Sequence, residues 1–228
     1  MRTTKHPSSV IRPTTERMEI SLTSLSPRER HALLTPLIAP RPIAFVSTLS
    51  ADGVGNLAPF SFFAMGGQNP QGVAICPTAD RHGNPKHTLL NIRATGEFTI
   101  NIVSREMAER VNQASAPYPP EVNEFDVTGF TQAASRVVQP PRVAEAPAAL
   151  ECRVFQIVPQ GEGPLHGTWV LGEVLHVWVR DDVLDADGRP DTAKVHPAAR
   201  MGRDEWAEVT PAVTFRLARP ESVPPRQS

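Results

Sequence analysis

The 228-residue sequence is short of several things, and each shortage closes off a class of protein. It holds two cysteines, Cys76 and Cys152, far apart and outside any Cys-x-x-Cys pair. A disulfide framework is therefore not expected, and buried thiols in a reducing cytoplasm are. The formal net charge is −1 and no long basic stripe occurs, which argues against a nucleic-acid or anionic-membrane surface, since both need clustered Lys and Arg. No apolar stretch approaches the length of a membrane span. The opening MRTTKHPSSVIRPTTERMEI is basic and rich in Thr, Ser and Pro, without the apolar block of a secretory signal. No catalytic dyad or triad and no Gly-x-Gly-x-x-Gly fingerprint is evident. GEGPLHG at 161–167 misses that spacing and has proline where a helix should begin, so it reads as a hairpin loop.

What the chain has in excess is proline, with 24 residues, about twice the usual share. They gather in APYPP (116–120), QPPRVAEAP (139–147) and the tail PESVPPRQS, which mark loops outside any regular sheet. The hydrophobic fraction of 40% and charged fraction of 21% are ordinary for a globular chain with a real core. The division expected is an extended or partly disordered arm over 1–26, one domain over 27–215 and a tail over 216–228.

PRERHALL (27–34) predicts a short helix with Ser26 as cap and Pro27 in its first position. Strands are predicted at 43–49 and 57–63, joined across Ala51-Asp52-Gly53, and at 73–76. Residues 84–96 read as a helix capped by Asn84, with Pro85 in its first turn and Gly96 as its stop. A strand follows at 97–103. Ser104 then caps an amphipathic helix with Met107, Val111 and Ala114 on one face. Long strands are predicted at 150–158 and 168–180, with a turn at 185–189. Many strands, three short helices and no βαβ alternation point to an antiparallel barrel with added helices.

Two stretches carry candidate chemistry. The first is RPIAFVSTLSADGVGNLAPFSFF (41–63), whose strand-like parts contain Ser47, Thr48, Asn56 and Ser61. Adjacent strand residues point to opposite faces, so one hydroxyl of Ser47 and Thr48 is free to face a ligand. Pro59 cannot donate a ladder hydrogen bond, which places its strand at an edge or a bulge with free backbone groups. Taken alone, core phenylalanines and a locally bonded Ser61 explain the segment as well. The second stretch is RHGNPKHT (81–88), where Arg81, Lys86 and Thr88 surround a predicted helix start. Helix N-termini offer unpaired amides, and together with these side chains they suit a phosphate seat; taken alone, solvated charges at a helix start explain the stretch as well. His82 and His87 are five apart, off the spacing of paired metal ligands.

The ordered blocks RPIAFVST, DGxGNLAPFSFF, PKHTLLNI, EFTINIV, NEFDVTGFT, PPRVAEAPAALEC, GEVLHVWVRDDVLDADGRPD and RMGRDEW together resemble the flavin reductase-like, FMN-binding split-barrel family, near its flavoredoxin branch. The resemblance spans roughly residues 27–210. It implies a mainly β fold, a six-stranded antiparallel split β-barrel of Greek-key type with a few peripheral helices. It also implies a homodimer with FMN near the subunit interface. Carried residue by residue, it places Ser47 and Thr48 at the flavin tail, and Asn56, Leu57, Ala58, Ser61, Phe62 and Phe63 along the isoalloxazine. Arg81, Lys86 and Thr88 fall at the phosphate and ribityl region, and Arg200 on a closing C-terminal segment. The chain departs from the family pattern at His31, His87, Gly202-Arg203 and Trp206.

The activity this implies is a flavin reductase: hydride passes from NAD(P)H, a transient donor, to FMN, with electrons going on to oxygen, a partner monooxygenase or another acceptor. The alternatives are an FMN-binding electron carrier or flavin-responsive protein without turnover, and a barrel that has lost its flavin.

Overall fold

The computed structural model describes residues 19–219. Residues 1–18 of the expected arm and 220–228 of the expected tail lie outside that range. Helix α1 (Pro27–Leu34) starts where Ser26 and Pro27 predict. The Glu29 N–H donates to Ser26 Oγ at 3.3 Å, and the Ser26 N–H donates to the Glu29 carboxylate at 2.8 Å, a reciprocal capping box.

The opening hairpin follows as β1 (Arg41–Pro42), β2 (Ala44–Leu49) and β3 (Gly55–Phe60). β2 explains why IAFV is apolar on both faces. Ile43 and Phe45 pack with Leu57, Val111, Phe125 and Phe130 on one side. Ala44 and Val46 pack with Ile75, Ile92, Phe98 and Ile100 on the other. A strand with core on both sides loses the polar half of its two-residue period.

The remaining elements are β4 (Phe63–Gln68), β5 (Gln71–Ile75), α2 (His87–Thr95), β6 (Glu97–Ile102), α3 (Ala108–Gln113) and α4 (Glu124–Thr128). Then come β7 (Gln132–Ala133), β8 (Arg142–Val143), β9 (Ala148–Gln160), β10 (Gly167–Val179), α5 (Thr192–Val195), β11 (Ala198–Arg200) and β12 (Trp206–Glu208). Seven strands form one antiparallel sheet in the order β3-β2-β6-β9-β10-β5-β4. Its two outer strands, β3 and β4, are consecutive in the chain, separated only by Ser61 and Phe62. The covalent chain thus joins the two edges of the sheet, which is how a split barrel closes. Counting 55–68 as one bent strand gives the six expected strands.

Pro59 sits on the edge strand β3, opposite Phe45, as its missing N–H requires. The strand expected over 57–63 is corrected by this bend: it starts at Gly55, breaks at Ser61 and Phe62, and resumes to Gln68. The broken stretch is held by the Cys76 N–H, which donates to the Phe62 carbonyl at 2.9 Å. A separate small sheet, β1-β11-β12, sets Arg200 beside Arg41 on one strand and Trp206 on the other.

Two helix starts differ from expectation. α2 begins at His87, with Lys86 in the cap position. Asn84 cannot cap it, because Asn84 closes a turn on Asp80: its N–H and Nδ2 donate to the Asp80 carboxylate at 2.8 and 3.0 Å. Pro85 also biases the residue before it away from helical torsions. Ser104 makes no side-chain cap; a 3-10 turn at Arg105–Met107 precedes α3, and the Arg105 N–H is taken by the His196 carbonyl at 2.9 Å. The apolar face of Met107, Val111 and Ala114 is buried as predicted.

Candidate functional site

A cleft of about 540 Å³ lies between β3, the start of α2, the 114–118 segment and α4. Asn56, Ala58, Lys86, Thr88, Tyr118 and Glu124 are among its walls.

One wall is fixed from behind by a buried polar network. Asn56 Nδ2 donates to Thr88 Oγ1 at 2.9 Å and to Thr48 Oγ1 at 3.2 Å. Asn91 Nδ2 donates to the same Thr48 oxygen at 3.0 Å. All four side chains are buried. The network ties β2, β3 and α2 together with satisfied hydrogen bonds, which is how a buried polar cluster rigidifies a site instead of destabilising it. Thr48 is therefore a support behind the cleft, while Asn56 and Thr88 reach its surface.

The start of α2 forms a second wall. Lys86 occupies the cap position without a side-chain hydrogen bond to the first turn, and no acidic residue stands in that turn. Lys86, His87 and Thr88 all line the cleft. Uncapped N–H groups, the positive end of the helix and an ammonium together make an anion seat. Asp80 also lines the cleft, but its carboxylate is spent on its own turn. Hydrogen bonds from the Asn84 side chain and backbone hold it down to about 2.

Glu124 is a functional candidate that reading the sequence missed. It is buried at the first position of α4, lines the cleft, and accepts the Leu57 N–H at 2.9 Å. Burial pushes its carboxyl above the ordinary range, opposed by the Leu57 hydrogen bond. Its helix was not among those predicted, although Asn123 caps it and Gly129 ends it in a left-handed conformation; its burial was not legible either. Tyr118 and Pro117 were legible only as part of a loop, and the structure puts that proline-rich loop along the cleft.

The other expected residues divide. Ser47 is fully buried and donates to the Pro141 carbonyl, so its hydroxyl faces the protein. Leu57 belongs to the core, and its backbone N–H serves Glu124. Phe62 meets His31 edge-on, with ring centroids 6.0 Å apart. Phe63 packs against the barrel interior beside Ile75. Arg81 points along its own turn, where Nε donates to His82 Nε2 at 3.0 Å, and it is not among the residues lining the cleft.

Ser61 and Arg200 line a second, smaller recess of about 90 Å³, together with Trp206 and Asn112. Pro59 and Ser115 belong to the walls of both hollows, so the two adjoin.

Against this geometry, residues 38–194 match the family model described as a flavin reductase like domain. The chain belongs to that family. An uncharacterized protein of Halalkalibacterium halodurans is 38% identical over 205 residues, covering 89% of this chain and 97% of that one. Among solved structures, nitrilotriacetate monooxygenase component B from Bacillus cereus matches with a TM-score of 0.84 and 27% identity, over 90% of this chain and 100% of that one. A structure from Shewanella frigidimarina, described as having a split barrel domain, matches at 0.73 and 26%, over 91% and 100%. Flavoredoxin of Desulfovibrio vulgaris matches at 0.68 and 25%, over 90% and 98%. The fold is that of the split-barrel flavin reductases.

Proposed function

We propose that the chain is a flavin reductase that binds FMN in the 540 Å³ cleft and accepts hydride from NAD(P)H. The observation that carries this reading is one hollow joining an anion seat at Lys86 to a preorganised polar wall at Asn56 and Thr88. Its volume lies within the range of cofactor sites, roughly 300–1,000 Å³. Lys86 and the first amides of α2 would hold the phosphate, and Asn56, Thr88 and the edge backbone at Ala58 and Pro59 would meet the polar groups of the flavin. FMN held there would supply the redox chemistry, hydride acceptance from a nicotinamide and onward electron transfer.

The chain's own contribution is binding and orientation. Asn56 is held by two hydroxyls, so its position is set before ligand arrives and little ordering cost is left to binding. Tyr118 and Pro117 add a proline-rich loop wall to the cleft. A homodimer fits this reading: Met65 on β4 and Phe155 on β9 are 74% and 67% exposed, apolar surface that a second copy would cover.

The test is an anaerobic absorbance measurement on the protein mixed with FMN, with NADH and NADPH added in turn. Bleaching of the bound flavin at a catalytic rate is expected with at least one donor. Bound flavin that bleaches with neither would instead identify an electron carrier or a flavin-responsive protein.

A further inference from the structure

The recess beside the cleft is chemically unlike it. Its polar residues are Arg200, Ser61, Asn112 and Ser115, the last with its hydroxyl on the Asn112 carbonyl; its apolar residues are Ile43, Pro59 and Trp206. Arg200 lies over that ring, 5.1 Å from its centroid. One of its nitrogens, Nη2, donates to the Arg203 carbonyl. Among the described residues no carboxylate stands within ion-pair distance of it.

A second guanidinium reinforces the charge. Arg41 is the direct strand partner of Arg200 and is only 7% exposed. Its Nη atoms donate to the carbonyls of Thr35, Ile38 and Met201, and its Nε has no partner. Burial, and then the charge of Arg200, pushes the Arg41 guanidinium below its ordinary value. Buried charges are normally paired. Two neighbouring guanidiniums, neither paired with a described carboxylate, leave uncompensated positive potential beside the recess.

We propose that this recess is a subsite for the carboxylate of a flat aromatic ligand that shares the groove with the flavin. The proposal rests on the flavin reading, since the recess opens beside that cleft through Pro59 and Ser115. A planar carboxylate matches the fork of Arg200, and the ring behind it matches the Trp206 and Pro59 faces. A recess of about 90 Å³ suits a carboxylate and the near edge of one ring. On the flavin reading, the phosphate has its own seat at Lys86, which lines the cleft and not the recess.

The test is titration calorimetry of the full chain, with and without FMN, using sodium benzoate as probe and benzamide as its neutral counterpart. Saturable benzoate binding is expected, with benzamide at least about tenfold weaker, because a hydrogen bond to a charged group carries about 1.5–3 kcal/mol and about 1.4 kcal/mol is tenfold. Arg200→Gln should weaken benzoate about tenfold or more, Arg200→Lys should restore part of it, and FMN affinity should move less than about twofold. Equal binding of benzoate and benzamide overturns the proposal. A tenfold loss of FMN affinity in Arg200→Gln assigns the arginine to the flavin phosphate. A rise in KM for NADPH alone assigns it to the 2′-phosphate of the donor, and either result also overturns the proposal. FMN titration of the unaltered protein reads the flavin assignment separately: failure there sinks that reading, while the benzoate comparison still decides the subsite.

Discussion

The two hollows that share Pro59 as a wall differ in their side chains and are built in opposite ways. In the larger, the polar side chains are part of the core: Asn56, Thr88, Thr48 and Asn91 satisfy one another out of water. In the smaller, Arg200 rests on a tryptophan face and a carbonyl, half-buried and unmatched by any described carboxylate. A finished network fixes a shape before ligand arrives, whereas an unmatched charge waits for its partner. The first design makes stability and binding inseparable; the second leaves them separable.

The largest effect should come from breaking the finished side. Asn56→Leu removes the donor shared by Thr48 and Thr88 and leaves the Thr88 hydroxyl without it. A loss of about 2–3 kcal/mol of stability is expected in urea denaturation. Arg200→Gln in the same experiment should move stability by no more than about 0.5 kcal/mol. Similar losses for the two variants would erase the contrast.

A smaller effect is expected from Glu124, the buried carboxyl in the larger hollow. Its folded pKa is raised, so the folded protein binds the proton more tightly than the unfolded chain. Its contribution to stability is therefore fully present below the unfolded glutamate value and is lost as pH rises through the raised folded value. Glu124→Gln should flatten that decline in a Tm series taken from pH 4 to 8. A series parallel to that of the unaltered protein would show that Glu124 does not cause it.

The contrast was partly legible in the sequence. Ser26 and Pro27 announced α1, Gly96 the end of α2, and Pro59 the sheet edge, because each acts through local backbone chemistry. The bend at Ser61 and Phe62 was not legible: it comes from the sheet rolling until its two edges share one segment. The start of α2 was misplaced because Asn84 had a better use four residues back, on Asp80. Within the site, Asn56, Lys86 and Thr88 were singled out by the family resemblance, and they share one cleft; residue types alone left them open, since solvated charges at a helix start are common. Nor could residue types separate Thr48 and Ser47, neighbours on one strand whose hydroxyls face different partners. Glu124 and Asn91 come to the site through tertiary packing, and nothing in their neighbouring residues distinguishes them from surface positions.

The central claim is that the uncapped start of α2, with Lys86, seats the phosphate of a flavin. The most direct measurement is fluorescence titration of FMN and of riboflavin, which lacks the phosphate, against the unaltered protein and Lys86→Gln. The account predicts FMN binding at least about tenfold tighter than riboflavin, with most of that difference lost in the variant. Equal affinity for the two flavins, or an FMN preference that survives Lys86→Gln, would contradict it.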